Sequence, residues 1–99
     1  MTFLFEPGVT LSNQIFVLAG TYEQFKLFAD QLYRTMIPEG MPLRRQDLIY
    51  VTPDSIRGFR DIWGYAVGTW QHREDLPTLR EMIRWAGSSV ENDFIEVEL

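Results

Sequence analysis

Three apolar runs in this chain end in threonine, and this repeat constrains the fold more than any other feature. The runs cover residues 15–21, 48–52 and 65–69, and two of them end almost identically, as Gly20-Thr21-Tyr22 and Gly68-Thr69-Trp70. Apolar runs without alternation are typical of strands covered on both faces, and threonine is a preferred helix-capping residue. The repeat therefore predicts parallel α/β units, in which each buried strand leads directly into a helix or turn.

The segments between the runs carry helix signals. Thr21-Tyr22-Glu23-Gln24 is a capping box, and the apolar residues after it are spaced by three and four. Thr52-Pro53-Asp54-Ser55 reads as a cap followed by proline at the first helical position, which predicts a short helix over residues 53–59. Asp75 is expected to cap a third helix, and Gly87 to end it in the left-handed conformation.

Two further strands complete the pattern. Residues 62–67 form the third predicted strand, in which Gly64 is a candidate for a bulge, and residues 94–99 alternate like a half-exposed edge strand. Right-handed crossovers then give a parallel sheet of order 2-1-3 with an additional C-terminal edge strand. We expect an α/β, minimal Rossmann-like or flavodoxin-like three-layer domain. The alternative is an α+β sandwich in which residues 2–6 pair antiparallel with residues 94–99.

Length and composition exclude several classes of protein. A chain of 99 residues is expected to form a single domain, residues 1–99, because two cores would each be too small. There is no cysteine and only one histidine, so we expect no disulfide and no metal site. The first twenty residues lack a basic start and the longest apolar run has about six residues, against roughly 20 for a membrane span. We therefore expect a cytoplasmic protein without membrane contact.

The charge is concentrated at the C-terminal end. Of the 14 acidic residues, four lie in residues 91–99, where there is no lysine or arginine; the other 10 acidic residues face 9 basic ones. The net charge of −5 therefore divides into −4 for residues 91–99 and −1 for the rest of the chain. This distribution disfavours nucleic-acid binding, which needs a basic surface. The acidic segment either suits a basic protein partner or keeps an edge strand soluble.

A parallel sheet of this order brings several polar residues to one edge. Ligands of such sheets bind beyond the carboxyl ends of the strands, where the strand order reverses. Free helix amides and hydroxyls there favour an anion, so a nucleotide or phosphorylated metabolite is one hypothesis. The alternative is that the threonines only cap helices and the glycines only ease turns. The candidate ligand-binding residues are Gly20, Thr21, Tyr22, Thr52, Gly68, Thr69, Trp70, His72 and Arg73.

Other residues raise further hypotheses. His72 with Arg73 and nearby acids could serve an enzyme, but no nucleophile or orienting group is evident, so we assign no catalytic residue. No Gly-x-Gly-x-x-Gly motif or phosphate-binding loop is present, and we expect no cofactor. Four arginines around the second strand could form a phosphate patch, but they are interleaved with Asp47, Asp54 and Asp61, which favours local ion pairs. These arginines are Arg44, Arg45, Arg57 and Arg60. Aromatic and edge residues could anchor a protein interface or a two-fold homodimer, with Trp70 expected to be exposed. The candidate interface residues are Trp70, Trp85, Ile95 and Val97.

The short motifs also carry a resemblance to a group of proteins. Residues 17–25, Tyr50-Val51, Arg57-Gly58 and Val67-Gly68-Thr69-Trp70 together resemble segments of small α/β proteins carried by bacteriophages. That group has no established activity, so the resemblance implies no catalytic residue. It implies a phage accessory protein that acts inside an infected bacterium. Segments 1–12 and 88–99 lie outside the resemblance.

Three functions follow from these observations. The first, and the one we favour, is a non-enzymatic module that binds a host or phage protein, because the chain is a small single domain with many aromatic residues and no catalytic motif. The second is a small-ligand module at the strand ends. The third is an enzyme that uses His72 and Arg73.

Overall fold

The computed structural model describes residues 14–36 and 47–99. Residues 2–6, whose antiparallel pairing defines the alternative α+β sandwich, lie outside the described residues, as do Arg44 and Arg45. A short 3₁₀ helix, Trp70–His72, follows the third strand. The other elements, in chain order, are β1 (Ile15–Ala19), α1 (Tyr22–Met36), β2 (Leu48–Tyr50), β3 (Gly64–Val67), α2 (Leu76–Trp85), α3 (Val90–Asp93) and β4 (Phe94–Val97).

The four strands form one sheet in the order β2-β1-β3-β4, and every neighbouring pair is parallel. The predicted order 2-1-3 with a C-terminal edge strand is confirmed. The bulge considered at Gly64 is wrong, because Gly64 pairs in regular register with Phe16 on one side and Phe94 on the other. The glycine instead lets the backbones of β1 and β3 lie close together, because a Cβ at this position would meet the carbonyl oxygen of Phe16.

Each face of the sheet has its own apolar core. Alternate residues of the central strand β1 point to opposite faces, so Val17 packs with Phe28 and Ala29 of α1. Phe16 and Leu18 pack on the other face with Leu79 and Ile83 of α2. These side chains are almost completely buried, which fits the continuous apolar run that predicted β1. The result is three layers: α1, the sheet, and α2 together with the segment between β2 and β3.

The segment between β2 and β3 is not helical, so the short helix predicted over residues 53–59 is wrong. The segment begins as a helix would, because the amide of Ile56 donates to the carbonyl of Thr52 at 3.2 Å. Only turns follow, as far as Gly58. Gly58 has φ +88°, a left-handed conformation that redirects the chain before a helix can extend. Ile56 still enters the core, so the segment covers the sheet in place of a helix.

The capping predictions for the later elements have mixed outcomes. Gly87 has φ +89° just beyond α2, as predicted. Asp75 occupies the N-cap position of α2 but makes no capping hydrogen bond with its side chain. The four-residue α3 was not predicted; Ser89 caps it by accepting from the amide of Asn92 at 3.0 Å.

Within the described ranges no helix has the length and apolar character needed to cross a membrane.

Candidate functional site

The carboxyl ends of β1 and β3 are joined by the side chain of Gln24, from the first turn of α1. Its Oε1 atom accepts hydrogen bonds from the amide of Gly20 at 3.1 Å, the amide of Thr69 at 3.1 Å and the hydroxyl of Thr69 at 3.2 Å. This is the place where the strand order reverses and where one of the two hypotheses from the sequence puts an anion. The carboxamide oxygen of Gln24 therefore takes the hydrogen bonds that a phosphate oxygen would need there.

The capping box explains how Gln24 reaches this position. The hydroxyl of Thr21 accepts from the Gln24 amide at 3.1 Å, which confirms Thr21 as the helix cap. In a regular capping box the side chain at position 24 would return to the amide of Thr21. Here it returns to Gly20 and Thr69 instead. The cap thus fixes α1 to two strands at once.

The two glycines at this edge permit the close contact. Gly68 has φ +63°, and a Cβ there would meet the carboxamide of Gln24. A Cβ at Gly20 would meet the hydroxyl of Thr69 and lie 2.7 Å from its carbonyl carbon. Both glycines therefore leave room for a side chain of the protein itself.

Arg73 ties together the ends of β1 and β2. Its Nη1 donates to the carbonyls of Ala19 at 3.1 Å and Val51 at 2.7 Å, and its Nε and Nη2 bind both carboxylate oxygens of Asp75 at 2.9 and 2.8 Å. Its side chain is only 8% exposed, and the guanidinium lies 5.2 Å from the centre of the Tyr50 ring. Its charge is neutralised inside the fold, so Arg73 offers little to an incoming phosphate.

Thr52, at the end of the second apolar run, also forms its hydrogen bonds within the protein. Its hydroxyl accepts from the amide of Ser55 at 3.0 Å, and the Ser55 hydroxyl accepts from the amide of Thr52 at 2.8 Å. Ser55 also donates its hydroxyl proton to the carbonyl of Tyr50 at 2.7 Å. This reciprocal pair closes the turn after β2 and needs no ligand.

The three candidates with aromatic rings at this edge differ in solvent exposure. Tyr22 is half exposed and contacts the ring of Tyr50, with centroids 5.4 Å apart. His72 is exposed at the end of the 3₁₀ helix. Trp70 was expected to be exposed, and this is wrong: it is 6% exposed and belongs to the α2-side core. The 3₁₀ helix turns the indole inward beneath Arg80, and among the described residues its Nε1 has no hydrogen-bond partner.

A second surface lies on the outer side of α2. Trp85 is 79% exposed, the highest value among the large apolar side chains of the described residues. Met82, one turn earlier, is half-buried beside it, and we name these two residues the Trp85 ridge. A hollow of about 450 Å³ lies on one side of the ridge, formed with Pro77, Thr78 and Glu81. A hollow of about 290 Å³ lies on the other, formed with residues 56–60 and Ala86.

The Trp85 ridge rests on a fixed base. Leu79 and Ile83 of the same helix are fully buried against the sheet, and Ile56 beneath the smaller hollow is 4% exposed. The amide of Asp61 donates to the carbonyl of Ala86 at 2.8 Å, which holds the turn segment against the end of α2. The smaller hollow is therefore preformed between α2 and the turn segment, whereas the larger one is an open depression along the surface of α2.

Arginines surround the smaller hollow. Arg57 pairs with Asp54 at 3.4 Å, and both side chains are largely exposed, which confirms the predicted ion pairing at this position. Arg60 also lines the hollow, and among the described residues it forms no ion pair. On the other side of the ridge Arg84 binds the carboxylate of Glu81. The hollow thus has an apolar floor and a basic rim.

The acidic edge of the sheet has a different character. Ile95 of β4 is 60% exposed, whereas Val97 is half-buried against the α1-side core. Arg80 and Glu91 form an ion pair where two hollows of about 350 and 400 Å³ meet. The hydrogen bond from Arg80 lowers the pKa of Glu91 below its ordinary value of 4.5. Of the predicted interface residues, Trp85 and Ile95 are therefore exposed.

Comparisons with known proteins gave no significant match. No protein-family model matches the chain, and no curated protein and no solved structure matches it significantly. In residues 14–36 and 47–99 no three His, Asp or Glu residues come together in a way that could hold a metal ion. A fold of this kind hosts many functions, so the function has to be argued from the surfaces described above.

Proposed function

We propose that this chain is a non-enzymatic protein-interaction module that binds its partner through the Trp85 ridge. The observation that carries the proposal is the 79% exposure of Trp85 beside a preformed hollow between α2 and residues 56–60. Tryptophan is highly buried on average, and it is one of the residues enriched among those that dominate binding energy in protein interfaces. A fixed apolar ridge with polar surroundings is the usual form of such a contact surface.

The geometry of the strand ends supports this choice over the two other hypotheses. A small anion at the edge would have to displace Gln24 from the amides of Gly20 and Thr69. An enzyme that used Arg73 would need the guanidinium that already binds two carbonyls and Asp75. Both alternatives thus compete with interactions that hold the fold together.

We extend the proposal to the setting that the phage resemblance implies. In that setting the module is a phage accessory protein, its partner is a host or phage protein, and both are in the bacterial cytoplasm. The support is the set of short motifs around Gly20-Thr21-Tyr22 and Gly68-Thr69-Trp70. The Trp85 ridge lies outside those motifs, so the binding surface and the origin are separate parts of the proposal.

Site-specific photo-crosslinking in bacterial cells tests the binding surface. A photoreactive phenylalanine derivative, which keeps a large aromatic side chain, replaces Trp85 in one version of the chain and Leu27 in a control version. Leu27 is a suitable control because it is 54% exposed on α1, the helix on the opposite face of the sheet. We expect a discrete crosslinked product from position 85 and none from position 27. Equal products from both positions, or none from position 85, would contradict the proposal.

A further inference from the structure

We propose that the partner presents an acidic segment with a large apolar side chain, and that this side chain enters the smaller hollow beside Trp85. The proposal rests on the proposed function, because it identifies the chemistry of the partner that the Trp85 ridge binds. It is carried by the combination of an apolar hollow and the two arginines, Arg57 and Arg60, that line it.

The size and walls of the hollow indicate what enters it. Its volume of about 290 Å³ is at the small end for a ligand pocket, which suits one side chain rather than a whole cofactor. The walls are apolar where Ile56, Phe59 and Met82 meet, and Trp85 stands at the margin. A large aliphatic or aromatic side chain would bury apolar surface on every side.

The charges at the rim indicate what flanks that side chain. Arg57 and Arg60 line the hollow, and none of the described residues that line it is acidic. The pair of Arg57 with Asp54 is exposed, so it is weak and can exchange for a partner carboxylate. The nearby Asp61 does not line the hollow, and its carboxylate lies towards Gly87. Asp or Glu residues beside the apolar anchor would therefore meet Arg60, which has no ion pair among the described residues, and Arg57, which can exchange Asp54 for them.

The chemistry of the whole chain separates a peptide from other anionic partners. The net charge of −5 repels an extended polyanion such as a nucleic acid or an anionic membrane. A short acidic segment is less affected, because charges beyond about 8–10 Å are screened at physiological salt. The concave hollow also favours an inserted side chain over a flat lipid surface. The C-terminal residues 94–99 of a second copy are themselves acidic and apolar, so self-association has to be tested.

Selection from a randomised peptide library on the immobilised chain tests the proposal. Peptides that also bind the Trp85→Ala variant are removed. We expect the remaining peptides to share a large apolar residue with Asp or Glu close to it. A basic consensus, or no consensus at all, would overturn the proposal.

Charge reversal then tests the rim. We expect the labelled consensus peptide to bind the Arg57→Glu/Arg60→Glu variant about tenfold more weakly than the unaltered chain, and the unaltered chain itself to bind more weakly as salt rises. Arg34→Glu is the matched control, because Arg34 is exposed in the last turn of α1, and it should leave the affinity unchanged. Both arginines of the hollow are exposed, so circular dichroism should show an intact fold. Equal affinity for the double variant would overturn the proposal.

Three further measurements address the other occupants. Binding to phosphatidylglycerol vesicles or to single-stranded DNA in preference to the peptide would overturn the proposal, and so would self-association by light scattering that the double variant abolishes. If the peptide experiments fail but a crosslink still forms from position 85, the proposal of an acidic partner is overturned and the proposed function is not. Failure of both would remove the proposed function as well.

Discussion

Gln24 and Thr69 are 45 positions apart in the chain, yet one side-chain oxygen of Gln24 accepts hydrogen bonds from both the amide and the hydroxyl of Thr69. The same oxygen accepts from Gly20, so it joins the ends of the two central strands. The amides and the hydroxyl that a parallel sheet presents at this edge are therefore used to hold the fold together. They are not free for a ligand, whereas the outer face of α2 carries an exposed apolar surface.

Replacing Gln24 should destabilise the protein. The substitution Gln24→Ala leaves two amides without their acceptor, so we expect a loss of about 1–3 kcal/mol in the free energy of unfolding, measured with urea. Gln24→Glu keeps an oxygen at the same place and should cost less. Gln31→Ala is the control, because Gln31 is exposed on the same helix, and it should change stability by less than about 0.5 kcal/mol. Equal effects of Gln24→Ala and Gln31→Ala would contradict the bonding scheme.

The contact between Gly68 and Gln24 can be separated from backbone strain. Gly68 and Gly58 both have positive φ, so alanine at either should cost about 1–2 kcal/mol in backbone strain. Only at Gly68 would the new Cβ also meet Gln24, whereas at Gly58 nothing lies within 4 Å. We therefore expect Gly68→Ala to be the more damaging substitution in thermal denaturation. The excess should disappear in the Gln24→Ala background, and an excess that persisted there would count against the contact.

Arg73 should be a structural residue. Arg73→Met removes the donors to the carbonyls of Ala19 and Val51 and leaves Asp75 unpaired. We expect a loss of about 2–4 kcal/mol, below the full value for a buried pair because Asp75 is partly exposed. Arg73→Lys should recover little, because an ammonium group cannot reproduce the four bonds. A stability like that of the unaltered protein for either variant would show that the guanidinium is not needed for folding.

Glu91 should make stability depend on acid pH. Its pKa in the folded protein is lowered by the hydrogen bond from Arg80, so its contribution is present above the ordinary value of 4.5 and is lost as pH falls through the lowered value. Since its side chain is 64% exposed, we expect Glu91→Gln to cost less than about 1 kcal/mol at neutral pH. The difference from the unaltered protein should vanish well below pH 4.5. Glu98→Gln removes an exposed carboxylate outside this ion pair, so it is the control for loss of charge and should cost less than about 0.5 kcal/mol at neutral pH. A cost for Glu91→Gln that stays constant as the pH falls would contradict this explanation.

The tryptophans Trp70 and Trp85 should differ sharply in their importance for folding. Trp70 is buried in the α2-side core, so Trp70→Ala should cost about 3–5 kcal/mol. Trp85 is mostly exposed, so Trp85→Ala should change stability by less than about 0.5–1 kcal/mol. Urea unfolding of the two variants gives the comparison. A large loss for Trp85→Ala would mean that the residue supports the fold instead of a partner.

The sequence was sufficient to predict the sheet because its strands are continuous apolar runs. Runs such as Ile15–Ala19 are typical of strands buried on both faces, and the threonines after them marked the ends of the strands. The strand order followed from the general handedness of crossovers. The turn segment after Thr52 was harder, because a threonine-proline cap begins a turn and a helix in the same way, and Gly58 stopped it after one turn.

The candidate site depended on long-range contacts that sequence spacing does not contain. The bond from Thr69 to Gln24 and the bonds from Arg73 to two strand ends form only when the sheet assembles. Trp70 was expected to be exposed because it follows a strand, but the 3₁₀ helix turns it into the core. Trp85 did carry a signal: it lies outside the apolar face that Leu79 and Ile83 define on α2.

The central claim is that the Trp85 ridge binds a partner and the strand edge does not. The most direct test uses the partner protein that the crosslink at position 85 captures. Titration calorimetry measures the affinity of this partner for the unaltered chain and for two variants, Trp85→Ala and Thr69→Ala. We predict that Trp85→Ala weakens binding by about 30-fold or more, as expected for a residue that dominates an interface, and that Thr69→Ala leaves binding unchanged. Unchanged binding for Trp85→Ala together with a loss for Thr69→Ala would contradict the claim and return the function to the strand ends.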